Sequence, residues 1–399
     1  MGKDFLLAID LGTSSLVVSL VDLAGNIVQS WQGEQETHFG PLGQAEQEAR
    51  NWWELTCRGI RGVLERAGIK PGQIAGIGVA GTSWLCLPVD KKGVPLRPAM
   101  LWLDRRADEQ ARMMRDAVGA KRLTACSGNP VDAAYIAPKM LWLQENEPEV
   151  YKKTYKFLQS NGYLVFQLTG NYSQDYSQGY GFHFFDITQG KWEESIAAEL
   201  GISLDLLAPL CQCHHVVGTV TRQAALETGL VEGIPVVAGG LDAACCTLGA
   251  GVIEPGQTQE QGGQAGGMSI QLDTPVIHEK LILGYHVLPN QWLLQGGTVG
   301  GGGVLRWFNE NFGAVEQQLA AKLGKIAFAV MSDAAAEIEP GSGGLLFLPY
   351  MAGERSPIWD SQAKGVFFGL SYEKTRAHLI RSLMEGVGYW EVNSFPDIP

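Results

Sequence analysis

Residues 5–23 alternate in a way that predicts two paired strands. An apolar run from Phe5 to Ile9 stops at Asp10, turns through Gly12-Thr13-Ser14-Ser15, and resumes as Leu16 to Val21 before closing with Asp22 and Gly25-Asn26. Two β-rich runs joined by a short Gly/Ser/Thr turn read as a hairpin. From Gln47 to Ala67 the apolar spacing changes to 3.6 residues and predicts a helix. Ile74–Ala80 and Leu85–Val89 read as short buried strands, the second followed by the turn Asp90–Gly93. Met100–Asp104 reads as a strand leading into a charged helix over 105–116, and 138–147 and 162–168 read as helices. Ile234–Asp242 is a strand that ends in an acid and runs into a small-residue helix over 243–248.

The second half restarts this pattern. Gly256–Leu272 is a glycine-rich hairpin candidate with its turn at 262–267 and an exit strand over 268–272. Recurrence of strand–turn–strand logic suggests two related domains facing each other across a cleft. The boundary is expected near Leu248 to Gly256, giving domains over 1–248 and 249–399. A chain of 399 residues is also too long for one ordinary core.

The first hairpin admits two readings. A carboxylate at the end of a buried strand, beside a turn with free backbone N–H groups, suits a magnesium–phosphate complex. Equally, Asp10 could do no more than cap its own turn. Fifty-one glycines, clustered over 239–303 and 341–353, mark tight turns and backbones that approach a ligand closely.

Composition narrows the function class. A formal net charge of −12 argues against nucleic acid or an anionic membrane as partner. No apolar run reaches spanning length and no signal-peptide pattern opens the chain, so a cytoplasmic enzyme is expected. Seven cysteines suggest reduced thiols. Cys211-Gln-Cys213-His214-His215 lacks a second ligand pair at finger spacing and reads as a loop or strand end, while Cys245-Cys246 reads as helix packing.

Transfer of a phosphoryl group to a hydroxyl requires a metal near the β/γ-phosphates, backbone donors around the γ-phosphate, and a base aimed at the acceptor. Asp10 with Gly12-Thr13 suits the first two. Asp242, ending a strand, suits the third; it suits an N-cap on the following helix as well, and the two roles are compatible.

An ordered array of short motifs runs over residues 5–390. It includes Asp10-Leu-Gly-Thr13, Gly43-Gln-Ala-Glu-Gln47 with Trp52-Trp53, Gly76–Thr82, Pro98–Trp102 with Asp104-Arg-Arg106, and Lys139-Met-Leu-Trp142. It continues through Leu168-Thr-Gly170, Asp175-Tyr-Ser177 and Gly239-Gly-Leu-Asp242. Toward the end stand Gly353-Glu-Arg-Ser-Pro357, Asp360, Gly365–Leu370, Thr375-Arg376, His378-Leu379 and Glu385-Gly386. In this array the chain resembles the FGGY family of carbohydrate kinases, nearest to its pentulose (xylulokinase-type) branch.

The resemblance implies an α/β, two-domain actin/hexokinase-like (ribonuclease H-like) fold with a cleft, and ATP-dependent phosphorylation of a sugar, most simply a pentulose such as D-xylulose. It implies Asp242 as catalytic base and substrate contact, and Asp10 as the Mg2+-linked acid. It places Gly12, Thr13 and Ser14 in a first phosphate loop, Gly263 and Gln264 in a second, and Gly300 and Gly301 where the nucleotide phosphates are approached again. Thr82, Ser83, Trp84 and Trp102 fall at sugar contacts, although either tryptophan could be core, and Arg105 and Arg106 could serve only as ion-pair partners. A homodimer fits the family.

Departures accompany the match. Val17 stands where many relatives carry Lys or Arg, Gln264 where they offer Thr or Ser, and Thr82-Ser83-Trp84 where xylulokinases present Met-His-Gly. The chain leaves the family pattern after about Gly388, so its second domain is expected to be incomplete, without the adenine-binding segment. Two readings follow: a sugar kinase, or a truncated relative that binds a sugar or a protein without catalysis.

Overall fold

The computed structural model describes residues 2–263, 265–360 and 362–393. They form two compact units. The first comprises Met1–Glu254 with Gln271–Glu279 and Leu283–Leu293, and the second Pro255–Ile270, Lys280–Ile282 and Leu294–Pro399.

The first unit is built on a seven-stranded sheet. Strand β1 (Phe5–Leu11) pairs antiparallel with β2 (Ser15–Asp22), in a register that sets Asp10 opposite Val17 and Leu11 opposite Leu16. β3 (Ile27–Glu34) continues the meander on β2. On one face Leu7, Ile9 and Leu11 of β1 and Leu16, Val18 and Leu20 of β2 are buried, the period-2 pattern of a half-covered sheet. α1 (Ala49–Ala67) covers that face with Trp52, Ile60, Val63 and Leu64. Its Gly59 allows the close approach, since a Cβ there would lie 2.5 Å from Val18 Cγ2.

On the other side of β1 lies β4 (Ile74–Gly81), parallel to it. Then come α2 (Ile136–Asn146), α3 (Ser160–Thr169), β5 (Val216–Thr219), β6 (Pro235–Val237), β7 (Gly240–Leu241) and α4 (Asp242–Gly249). The sheet order is β5-β6-β4-β1-β2-β3, with β7 pairing the far end of β4. Both β6 and β7 run parallel to β4.

Several expected elements are corrected. The strand expected over 234–242 is two strands, broken at Ala238–Gly239, where Gly239 takes φ +71. Met100–Asp104 is a strand only at Ala99–Met100; Asp104 turns inward and accepts from Ala45 N at 2.8 Å and from Arg106, and the next helix is deferred to Asp108–Met114. α1 begins at Ala49 because Gln44–Gln47 is itself a short strand. Cys246 is exposed, so only its neighbour Cys245 is partly packed.

In the second unit β8 (Thr258–Gly262) and β9 (Gly266–Leu272) form an antiparallel hairpin, and β9 lies between β8 and β10 (Trp292–Thr298). Three helices follow, α5 (Gly302–Phe312), α6 (Ala314–Leu323) and α7 (Ala327–Ala336). The hairpin β11 (Leu346–Leu348) with β12 (Val366–Phe368) precedes α8 (Arg376–Asn393). Val304, Phe308, Met331, Ala335, Phe347, Ile380 and Leu383 make its core. No helix among the described residues is long and apolar enough to cross a membrane.

Candidate active site

Three parallel strand ends meet in one row of the first unit. Leu11 of β1 pairs with Gly81 of β4, and Gly81 pairs with Leu241 of β7. The residues that follow leave the sheet from neighbouring positions: Gly12, Thr82 and Asp242. Ligand sites in α/β sheets gather at such carboxyl ends. Residues separated by more than 200 positions are thereby set side by side, and no local pattern in the chain encodes this.

The turn after β1 is tied at both sides. Gly12 N donates to Ser15 O at 3.0 Å. Gln35 Nε2 reaches the carbonyl of Gly12 at 2.8 Å, and the buried Gln47 Nε2 reaches that of Thr13 at 2.7 Å. Ser14 at the tip is exposed. With these carbonyls engaged, the Thr13 and Ser14 amides and the Ser14 hydroxyl are left without a protein partner among the described residues. Gln47 stands in the sequence as part of the Gly43–Gln47 motif, whereas no local pattern singles out Gln35.

Two carboxyls occupy this end of the sheet. Asp242 is the first residue of α4, not the residue before it, and its Oδ1 accepts from Ala243 N at 2.7 Å. Burial raises its pKa to about 7, against the pull of that hydrogen bond and with a further push from the charge of Asp10. Asp10 is reachable by solvent yet crowded by protein, which raises its pKa as well. Among the described residues its carboxylate has no hydrogen-bond or ion-pair partner. A hard oxygen donor left open in this way fits Mg2+, which takes one or two carboxylates and completes its shell with water and substrate phosphates. The neighbour across the hairpin, Val17, puts no positive charge beside it.

A polar network absent from the sequence reading holds Asp242 in place. Asp175 is buried, and burial raises its carboxyl despite hydrogen bonds from Ser177, Asn161 and the Gln178 amide. Ser177 Oγ in turn accepts from Leu241 N at 2.8 Å, and Asn161 Nδ2 donates to Ala238 O at 3.1 Å. Both ends of the Gly239–Leu241 segment are thus pinned. The segment lies so close to β4 that a Cβ on Gly239 would sit 1.8 Å from Val79 O.

The expected sugar contacts line the same end. Thr82 is buried, its N donates to Leu11 O at 2.9 Å, and its Oγ1 lies 3.2 Å from Thr13 Oγ1. Ser83 follows it, half-buried. Trp102 is partly buried and donates through Nε1 to Thr13 Oγ1 at 2.9 Å. Trp84 is buried with φ +52, packs on Tyr135 at 4.3 Å between ring centres, and keeps an indole N–H with no partner among the described residues. A buried donor without an acceptor costs free energy. Arg105 pairs with Asp132, and Arg106 with Asp104 and Glu46, so both arginines are ion-pair partners.

In the second unit the glycine-rich stretches expected to meet phosphate are also together. A Cβ on Gly301 would lie 2.4 Å from the Ala265 carbonyl carbon, and one on Gly300 would lie 1.9 Å from Pro349 O, so only glycine fits either place. Gly263 N closes its turn onto Ala265 O at 2.9 Å; Gln264 lies outside the described residues. Gly300 and Gly301 lead directly into α5, whose first amides are free to meet an anion. Buried Glu354 braces the approach: it accepts from Thr298 Oγ1 at 2.6 Å and from Val299 N at 3.0 Å. Its place in the Gly353–Pro357 stretch was legible, its role as a strut was not.

Comparison with known proteins agrees with this layout. The N-terminal domain model of the FGGY family of carbohydrate kinases matches residues 5–249, and the C-terminal domain model matches residues 268–393. A xylulose kinase of Staphylococcus epidermidis is 32% identical over 391 residues, 98% of this chain and 76% of its own. The xylulose kinase of Bacillus subtilis is 30% identical, over 96% of this chain and 75% of its own. Among solved structures, a xylulose kinase from Rhodospirillum rubrum superposes with a TM-score of 0.85 at 30% identity, over 96% of this chain and 76% of that one. Its neighbours share the two-domain actin/hexokinase-like fold, and with both domain models matched in order, the chain belongs to the FGGY family of carbohydrate kinases.

Proposed function

We propose that this carbohydrate kinase transfers the γ-phosphoryl group of ATP to a hydroxyl of a pentulose, D-xylulose, with Asp242 as general base. The observation that carries the reading is the Asp242 carboxyl, held at the shared end of β1, β4 and β7 with a pKa of about 7. A base serves best when its pKa lies near the working pH. It then accepts the acceptor proton at neutral pH while remaining a strong enough base to assist attack. Bound Mg2+ would screen the β- and γ-phosphate charge from Asp10.

The residues of the chain divide the remaining work. The Ser14 hydroxyl and the Thr13 and Ser14 amides face phosphate oxygens, stabilising charge where it gathers in the transition state. In the second unit Gly300 and Gly301 set the start of α5, whose opening amides would meet nucleotide phosphate. Thr82, Ser83, Trp84 and Trp102 orient the sugar, and the orphaned Trp84 N–H finds its acceptor in a sugar hydroxyl. Several of the most similar relatives are xylulose kinases, which supports the pentulose over other acceptors.

The test is ATP consumption with D-xylulose, D-ribulose, D-gluconate and glycerol, on the wild-type chain and on Asp242→Ala. Transfer to D-xylulose that vanishes in a folded Asp242→Ala variant is the expected result. Transfer retained in that variant removes the base assignment, and preference for another acceptor removes the pentulose.

A further inference from the structure

A fully buried lysine lies behind the sugar end of the site. Lys139, on α2, has no exposed surface. Its Nζ donates to three carbonyls: Trp84 O at 2.8 Å, Leu101 O at 2.6 Å and Ala134 O at 2.6 Å. Those are all the donors an ammonium has. The choice of carbonyls is the informative part. One belongs to Trp84 itself. The others belong to the residues just before Trp102 and Tyr135, and a carbonyl shares its rigid peptide plane with the next residue.

We propose that Lys139 is a positioning residue for the acceptor sugar, one buried ammonium that fixes the three backbone segments bearing Trp84, Trp102 and Tyr135. The proposal rests on the reading that Trp84 and Trp102 orient the sugar. Three features of the structure support it. None of the three residues whose carbonyls it takes lies within a strand: 82–84 and 101–104 are turns, with Leu101 N meeting Ala45 O at 3.0 Å, and 133–135 leads into α2. Trp84 adopts φ +52, a conformation that a bulky residue keeps only when its surroundings impose it. The aromatic rings are linked in turn, Trp84 packing on Tyr135 and Trp102 bonding to Thr13 of the first loop. Lys139 therefore sets the distance between the sugar contacts and the phosphate loop.

Stability alone does not account for the residue. Taking an ammonium out of water is costly, and a leucine or methionine would fill the space without that cost. Burial pulls Lys139 down to about 7, while the nearby Asp104 pulls it back up. What the charge supplies is a single geometry for three loops.

The experiment compares Lys139→Met, which keeps the length and removes every donor, with Thr56→Val on α1. Thr56 is equally buried and bonds only within its own helix, so it reports loss of a polar contact away from the site. We expect Lys139→Met to raise KM for D-xylulose about tenfold or more while KM for ATP changes less than twofold, and Thr56→Val to change neither. Equal rises in both KM values, or a lowered unfolding temperature with both KM values unchanged, overturn the proposal. Should Lys139→Met fail to fold, Lys139→Gln, which keeps two donors, must show the same split at smaller size. Failure of both to fold while Thr56→Val folds also overturns it, leaving a lysine that serves stability alone. If wild type phosphorylates D-xylulose and the split is absent, only this inference falls. If wild type phosphorylates no sugar of the panel, the functional reading falls with it.

Discussion

The indole N–H of Trp102 donates to the hydroxyl of Thr13 at 2.9 Å, so a residue expected at the sugar holds a residue expected at the phosphate. Thr13 Oγ1 also meets Thr82 Oγ1 at 3.2 Å, making this one hydroxyl the joint of the site. Removing it takes from the partly buried indole N–H its acceptor at 2.9 Å. Thr13→Val should therefore cost about 1–3 kcal/mol in stability. Paired with Trp102→Phe in a double-mutant cycle on kcat/KM, the two changes should couple by about 0.5–3 kcal/mol, as contacting residues do. Additive effects would show that the bond carries no functional coupling.

The raised pKa of Asp242 has two consequences, of opposite value to the enzyme. As the proposed base, Asp242 must be ionised, so kcat/KM for the sugar should fall about tenfold per pH unit below a midpoint near 7. The same shift is a cost to the fold. Below an ordinary carboxylate value near 3.8 the group is protonated both folded and unfolded, and nothing is lost. As pH rises from there to about 7 the unfolded chain ionises and the folded one does not, so stability falls through that window. Asp242→Asn should accordingly be more stable than wild type above pH 7 by about 2–4 kcal/mol, with the gain gone below pH 4. Urea unfolding at both pH values checks this, and a gain independent of pH would contradict the shift.

Ser177 touches neither phosphate nor sugar in this arrangement, yet it holds the amide of Leu241, the residue before Asp242. Ser177→Ala should lower kcat about tenfold or more, since small displacements of a catalytic group are costly. KM for ATP should stay the same. Asp175→Asn should give the same phenotype in milder form, because an amide still accepts from Ser177. A fall in thermal stability without any fall in kcat would reduce this network to scaffolding.

How far the chain discloses all this depends on the range of the interaction. The opening hairpin and α1 follow from period-2 and period-3.6 spacing, because each lies on one face of one core. Asp10, Gly12 and Asp242 stand out in the sequence since each lies at or just beyond the end of a strand. The break at Gly239 is not, because the tight contact that demands it comes from Val79, far away in sequence. Asp175, Lys139 and Glu354 stand in the sequence only as members of motifs, and their partners escape for a related reason. Hydrophobic periodicity is silent about polar residues whose partners come from other elements, such as Asp175 with Asn161 on α3 or Lys139 with Trp84. Of the two tryptophans, Trp84 is buried against Tyr135 yet keeps an indole N–H with no partner among the described residues, while Trp102 is only partly buried.

Gly239 gives the sharpest test of the site's backbone. It lies at φ +71, where a side chain is strained, and its Cβ would overlap Val79 O at 1.8 Å. Gly233 isolates the first effect: its φ is +91, but nothing lies within 4 Å of the position a Cβ would take. Gly233→Ala should cost about 1–2 kcal/mol from backbone strain alone. Gly239→Ala adds a backbone clash that no flexible side chain can relieve, so it should cost more than about 3 kcal/mol or force β7 away from β4. If the strand yields instead of the fold, the chain stays soluble while Asp242 leaves the row it shares with Gly12 and Thr82. Activity should then drop at least a hundredfold in a protein that still melts cooperatively. Similar melting temperatures and similar activities for the two alanine variants would mean that the close approach at Gly239 does not set the position of the base.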